Sequence, residues 1–372
     1  MKNKKLHIVY LDFDDLKNPL LGAGQARATF EVGKRLAQKR HKITVICSRY
    51  PGYKDRTENG ITYHHIGLGS HNIRLNNTAY ILALPLSVIK IRADIIVECF
   101  TAPISTLFSP LFTRIPVVAL PTSFEADRFA KLYHLPFDLV EKFGLRFYKY
   151  AMPFSEPFEK KMKQYNSRLV SLIVPEGVGN EYFMIKQQAP KYILFLGRLD
   201  IGQKGIDLLL KAYAKIVNKV DYPLIIAGNG PDQNKVKKLI STLHIEDSVT
   251  MIGGTFNKKK MRVLSQALFV AFSSRHEGFS LFALEAFASG LPLVCFDIPG
   301  LCWTTKDATF KAKPFSILNY AQLLQKATDK KIIIPMRKNA RKFAKKYTWE
   351  NVANSYETFF YSILKERNIH AN

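Results

Sequence analysis

Short apolar runs alternate with longer segments whose apolar positions recur every three or four residues, and this alternation repeats along the chain. Residues 6–11, 42–47, 95–97 and 117–120 are brief, mostly β-branched runs, as a parallel strand buried on both faces requires. Residues 25–39 between the first two read as a helix. Strand, helix, strand at this spacing predicts a doubly wound parallel sheet. A second series follows, with strands expected at 192–196, 224–227, 249–252, 268–271 and 293–296 and helices between them. Ile206, Leu209, Leu210, Tyr213 and Val217 share one helical face, so 205–217 is expected to be an amphipathic helix. The polar stretch 184–190, ending in Pro190, reads as an interdomain linker. The expected organisation is a first α/β domain over 1–183, a second over 191–348, and a terminal helix within 349–372.

A chain of 372 residues is long enough for two such cores, and 47% hydrophobic content excludes disorder. The longest apolar stretches, such as 79–89, fall short of the ~20 residues a membrane span needs. The run behind the basic residues 1–5 is too short for a signal-peptide core. The four cysteines, Cys47, Cys99, Cys295 and Cys302, show no disulfide or zinc spacing, which suits a reducing compartment. A cytoplasmic protein, at most peripheral to a membrane, is expected.

Charge changes this picture. The chain has 55 Lys and Arg against 30 Asp and Glu, a net charge of +25. The excess is spread over both halves, +11 before Lys191 and +14 from it onward. That argues against a dedicated nucleic-acid patch. It leaves a solvated cationic surface, or attraction to anionic membrane or phosphate-bearing ligands.

Candidate chemistry concentrates at three strand ends of the second series. Arg198 and Lys204 sit in a loop between a strand and a helix, Gly197 to Gly205. Ligands bind at such carboxyl ends of open α/β sheets. Arg offers a planar fork to phosphate oxygens and Lys a point charge. Gly228-Asn229-Gly230-Pro231 follows the next strand and permits close backbone approach to a flat ligand. Glu277-Gly278 precedes a helix expected to begin near Phe279. Its free N–H groups, of Phe279, Ser280 and Leu281, would suit phosphate. Glu285, two turns in, could accept hydrogen bonds from a polyol. In the first series Gly22-Ala23-Gly24 lacks the third small residue of a dinucleotide fingerprint, because position 27 is Arg.

Together, Gly197-Arg198…Lys204-Gly205, Ala227 to Pro231 and Glu277-Gly278-Phe279…Glu285-Ala286 resemble family 4 of the retaining glycosyltransferases. Val174 to Val178 and Tyr347-Thr348-Trp349 add to the likeness. The resemblance implies the GT-B fold, two facing Rossmann-like domains, and transfer of a hexosyl unit from a nucleotide sugar to a hydroxyl acceptor with retention. A lipid-linked or polysaccharide precursor is the implied kind of acceptor. Arg198 and Lys204 would hold the diphosphate, with Glu277 at the donor sugar and Glu285 at the ribose. Phe279 to Leu281 would assist at the phosphate, and Gly22 and Gly24 would close over it. Residues 350–363 would form a helix crossing back to the first domain. No metal and no cofactor besides the donor is expected, since cations would meet the phosphate charge.

Three features depart from the family pattern. Thr122 stands where relatives often have a His. Glu176 and Gly179 replace residues of a usual Pro-Asn-Gly-Val-Asp. Residues 301–306 replace a Gly-rich strand. The rival readings are another GT-B enzyme such as an epimerase, or a non-catalytic basic binding protein. Two basic stretches bear on membranes. Residues 129–165 interleave lysines and arginines with ten Phe and Tyr residues, which fits either core helices with snorkelled lysines or an interfacial helix whose exposed aromatics, within 139–152, would insert. Arg337, Lys338, Arg341, Lys342, Lys345 and Lys346 are expected to form one cationic stripe.

Overall fold

A computed structural model describes residues 4–21, 24–100, 106–121 and 126–371. The chain divides into two compact units, 1–176 with 349–372, and 177–348.

The first unit contains strands β1 (His7–Leu11), β2 (Lys42–Ser48), β3 (Arg56–Glu58), β4 (Ile61–Ile66), β5 (Ile95–Phe100), β6 (Val117–Pro121), β7 (Tyr150–Ala151) and β8 (Val170–Ser171). They form one sheet in the order β3-β4-β2-β1-β5-β6-β7-β8. Only the β3–β4 pair is antiparallel. Its helices are α1 (Gly24–Gln38), α2 (Ile73–Lys90), α3 (Ala126–Tyr133), α4 (Phe137–Gly144) and α5 (Glu156–Tyr165). Strand β5 is buried at every position, as its unbroken apolar run with one Glu requires.

The second unit starts with α6 (Asn180–Phe183), followed by β9 (Tyr192–Leu196), α7 (Ile201–Lys204), α8 (Ile206–Ala214), β10 (Leu224–Ala227) and α9 (Gln233–Thr242). Then come β11 (Val249–Gly253), α10 (Asn257–Gln266), β12 (Ala267–Phe272), α11 (Leu281–Ala288), β13 (Leu293–Phe296) and β14 (Thr309–Ala312). Helices α12 (Ile317–Lys326) and α13 (Lys330–Ala344) close it. The sheet runs β11-β10-β9-β12-β13-β14 and is parallel throughout.

The division falls at Glu176/Gly177, ahead of the expected linker at 184–190. Those residues are fastened to the second unit. Arg341 donates to the Ile185 carbonyl at 2.7 Å, and Arg337 bonds Gln187. This also breaks up the expected cationic stripe. Arg337 and Arg341 turn inward from α13, and only Lys338, Lys342, Lys345 and Lys346 stay exposed.

The last helix, α14 (Trp349–Ala371), belongs to the first unit and packs on α1. Glu357 on α14 takes Lys39 at 2.6 Å and His41 at 3.0 Å. No described helix is long and apolar enough to cross a membrane.

Candidate functional site

In each sheet the chain winds outward in one direction and then restarts beside its first strand. In the second unit β9 leads to β10 and β11, and β12, β13 and β14 build on its other side. The loops leaving β9 and β12 therefore diverge and open a crevice at their carboxyl ends, where an open α/β sheet binds ligands. Arg198 and Lys204 follow β9; Ser273, Ser274 and Glu277 follow β12.

Local chemistry fixes these loops. Asp200 caps α7, its carboxylate accepting the Gln203 N–H at 3.0 Å. Helix α7 ends at Gly205, whose φ is +59°. A Cβ there would lie 2.1 Å from the Ser273 carbonyl oxygen, so any other residue would push the two loops apart. Ser273 donates its hydroxyl to the Lys204 carbonyl at 2.9 Å. Arg275 grips both oxygens of Asp207, at 2.7 and 2.8 Å, and donates to the Ile201 carbonyl at 2.6 Å.

The result is a charged cluster. Lys204 Nζ lies 2.7 Å from Glu277 Oε1, and Ser274 donates to the same oxygen at 2.6 Å. The Glu277 side chain is 7% exposed. A cavity of about 170 Å³ lies beside it, lined by Arg198, Lys204, Ser273 and Ser274 against Phe195, Phe272 and Phe282. Arg198 is more open, 59% exposed, and is held by Asp200 and by the Gln203 side-chain oxygen, both at 2.9 Å.

Glu285 does not line this cavity. Its Oε1 accepts from the Tyr182 hydroxyl at 2.5 Å and its Oε2 from Lys260 at 2.6 Å. Lys260 also donates to the Tyr182 oxygen at 3.0 Å. Sequence reading missed both partners, because Lys260 ends a run of three lysines that looks like a solvated face, and Tyr182 is 103 positions away. One expected outcome is that Glu285→Gln lowers thermal stability, since it leaves the Lys260 ammonium facing a neutral amide. Adding Lys260→Met should restore part of that loss in a melting experiment. If the double variant melts no higher than Glu285→Gln, the pair is not coupled.

The other expected residues lie as follows. Helix α11 starts at Leu281, not near Phe279, because Ser280 is its N-cap and accepts the Ala283 N–H at 3.3 Å. Leu281 is then its first residue. Phe279 instead stacks on Trp303, centroids 4.6 Å apart, so the segment that replaces the Gly-rich strand supplies an aromatic support. The bare faces of Gly228 and Gly230 meet neighbouring backbone. A Cβ at Gly228 would lie 1.8 Å from the Gly197 carbonyl oxygen, and one at Gly230 would lie 2.4 Å from that of Leu199. Their close approach is to the β9 loop, which gives both glycines a reason that needs no ligand. Gly24 is the first residue of α1. Gly22 and Thr122 lie outside the described residues.

One set of possible metal ligands occurs among the described residues, Asp15, Cys47 and His65. It does not fit an ion. Both Asp15 oxygens take the Arg56 guanidinium at 2.6 Å, and His65 lies 2.9 Å away. Burial pushes the Cys47 thiol far up, away from the thiolate a metal needs.

Comparison with known proteins places this geometry in a family. Residues 184–347 match the model described as Glycosyl transferases group 1, and residues 22–166 match Glycosyltransferase Family 4. The chain belongs to the family 4 glycosyltransferases. Family membership covers both units, and the crevice at β9 and β12 falls within the group 1 match. N-acetyl-alpha-D-glucosaminyl L-malate synthase of Bacillus anthracis is 28% identical over 167 residues, 44% of this chain and 43% of that protein. The N-acetylgalactosamine-N,N'-diacetylbacillosaminyl-diphospho-undecaprenol 4-alpha-N-acetylgalactosaminyltransferase of Campylobacter jejuni is 34% identical over 129 residues, 35% of this chain and 34% of that one. The matched segments thus span less than half the length of these relatives. Sucrose-phosphate synthase of Thermosynechococcus elongatus superposes with a TM-score of 0.79 at 16% identity, covering 98% of this chain and 100% of that one. That likeness shows the GT-B fold.

Proposed function

We propose that the chain transfers a hexosyl unit from a nucleoside-diphosphate sugar to a hydroxyl acceptor, with retention of configuration. The observation that carries this reading is the Lys204–Glu277–Ser274 cluster beside the β9/β12 crevice, with Arg198 at its rim. The reaction breaks the bond between the sugar C1 and a phosphate oxygen, and negative charge grows on that oxygen. Lys204 and Arg198 are the cations that would meet this charge, Lys204 tethered by Glu277 and Arg198 by Asp200. Lys204 is paired with Glu277 across 2.7 Å, so an entering diphosphate competes with this carboxylate for the ammonium. Glu277, released from Lys204, is free to meet the sugar, where positive charge builds during transfer. Glu285 and Lys260 are assigned to the ribose end of the donor. A lipid-linked acceptor is the favoured kind, in keeping with the diphospho-undecaprenol in the name of the Campylobacter relative.

The test is a panel of nucleotide sugars offered with polyprenyl-diphosphate and soluble sugar acceptors. Release of nucleoside diphosphate should occur with one donor class and depend on acceptor. The anomeric configuration of the product, read by NMR, should match that of the donor. A product of inverted configuration would remove the retaining assignment. Interconversion of the donor sugar without transfer would favour an epimerase.

A further inference from the structure

Helix α2 is apolar on two opposite sides. Asn76, Tyr80, Leu84 and Val88 recur every four residues and are buried against the first unit. Away from them Leu75, Leu82, Leu86 and Ile89 are 52, 73, 67 and 62% exposed. These four fall at intervals of seven, four and three residues, so they form one stripe along the helix. A helix on the surface of a soluble domain ordinarily turns polar residues outward. Helix α2 contains no acidic residue. Its only charges, Arg74 and Lys90, stand at its two ends, and Arg92 lies just beyond.

The stripe has neighbours of the same kind. The Arg74 guanidinium lies 5.8 Å from the centroid of the Tyr133 ring, and Tyr133 packs edge-on against Phe137 at the start of α4. Leu135, Leu139 and Phe143 continue along this segment, each more than half exposed. Exposed Lys131 and Arg146 flank them. Phe143 packs on Phe147, which lines a cleft of about 230 Å³ bearing Arg114, Lys149 and Arg367.

We propose that the outer stripe of α2, together with α4, is a docking surface for an anionic lipid bilayer. Charge selects this occupant. A second copy of the chain would bring +25 against +25. In an antiparallel pairing of two α2 helices Arg74 would face Lys90, and in a parallel one each would face itself, so both pairings set like charges together. Anionic headgroups accept the basic ends, and acyl chains accept the leucines between them. The sequence pointed to 129–165, which contains α4 but not α2, and within it to the aromatics of 139–152. Of these Tyr148 and Tyr150 are buried, Phe147 is half-buried, and only Phe143 is open. Helix α2 escaped notice because its 79–89 stretch is too short to span. The proposal stands whether or not the second unit acts on a nucleotide sugar.

The test is flotation of the full chain with phosphatidylglycerol–phosphatidylcholine vesicles, with phosphatidylcholine alone as the control, at low and high salt. Salt screens the basic residues but not the buried leucines. Wild type should float with the anionic vesicles at low salt and in part at high salt. Leu82→Ser with Leu86→Ser should lower the high-salt fraction about tenfold or more. Arg74→Gln, Lys90→Gln and Arg92→Gln together should lower the low-salt fraction. Circular dichroism should be unchanged in both, since the altered side chains face outward. Should the double variant fail to fold, Leu82→Glu, a single change at the most open of these positions, gives the same reading. Flotation of wild type that vanishes at high salt overturns the proposal. So does a Leu82 variant that floats like wild type, or a wild-type dimer in sedimentation velocity that these variants make monomeric.

Discussion

Glu277→Gln should slow transfer by about 10²–10³ while nucleoside diphosphate binds at least as tightly as to wild type. Two opposed effects meet at this carboxylate. It pairs with Lys204 across 2.7 Å, so its removal frees the ammonium for phosphate. During transfer it is assigned to the sugar, where a neutral amide cannot answer developing positive charge. Lys204→Ala should act in the other direction. It removes a charge-assisted contact worth roughly 1.5–3 kcal/mol and leaves a nearly buried, unpaired carboxylate beside the entering phosphates. Arg198→Ala should cost less affinity, because a side chain 59% exposed contributes through solvent-screened contacts of about 1 kcal/mol or less. Calorimetric titration with nucleoside diphosphate, alongside turnover, measures all three. If Glu277→Gln weakens diphosphate binding by the same factor as it slows turnover, the competition between carboxylate and phosphate does not exist.

The second large effect is on stability, and it runs opposite to ordinary acid denaturation. Asp12 is fully buried at the carboxyl end of β1, where burial pushes its carboxyl up to about 7 against the hydrogen bond from Thr29 at 2.5 Å. Glu176, beside the division between the units, is pushed by burial up to about 8, and its Oε2 has no partner among the described residues. Both folded values lie above the unfolded ones, so the native state holds protons that the unfolded chain releases. Their contribution is complete below about pH 4, and it is lost as pH rises through about 7 for Asp12 and about 8 for Glu176. Each group changes stability by ~1.4 kcal/mol per pH unit inside its window. The first unit should therefore gain a few kcal/mol between about pH 7.5 and about pH 5.5. Hydrogen exchange of the β1 and β5 amides reports this unit rather than the whole chain. Glu176→Gln should flatten the pH slope by about half. An unchanged slope in that variant would mean that Glu176 is ionised in the fold.

The strand pattern was legible in the sequence because a buried parallel strand leaves a mark in every few residues. β9, β10 and β13 lie at the expected positions, and β1, β2, β6, β11 and β12 differ by one or two residues at their ends. The short strands β3, β7 and β8 left no such mark. At two or three residues each, they form only because a neighbouring strand offers hydrogen bonds. Arg198, Lys204 and Glu277 were legible as candidates, since Gly, charge and strand end coincide locally. What each charge touches was not. The sequence could name Glu285 but not its partners Lys260 and Tyr182, and it could name six cations near 337–346 without telling which two turn inward. Glu176 read as a departure from a motif, and only its burial makes it a proton store. The sequence by itself determined where most of the central buried strands lie, which residues are apolar and where cations cluster, because those properties depend on near neighbours along the chain. Tertiary structure alone decided which charges are neutralised, which carboxyls stay protonated and which leucines of α2 face out. Pairing, desolvation and exposure all depend on segments that the chain brings together from far apart.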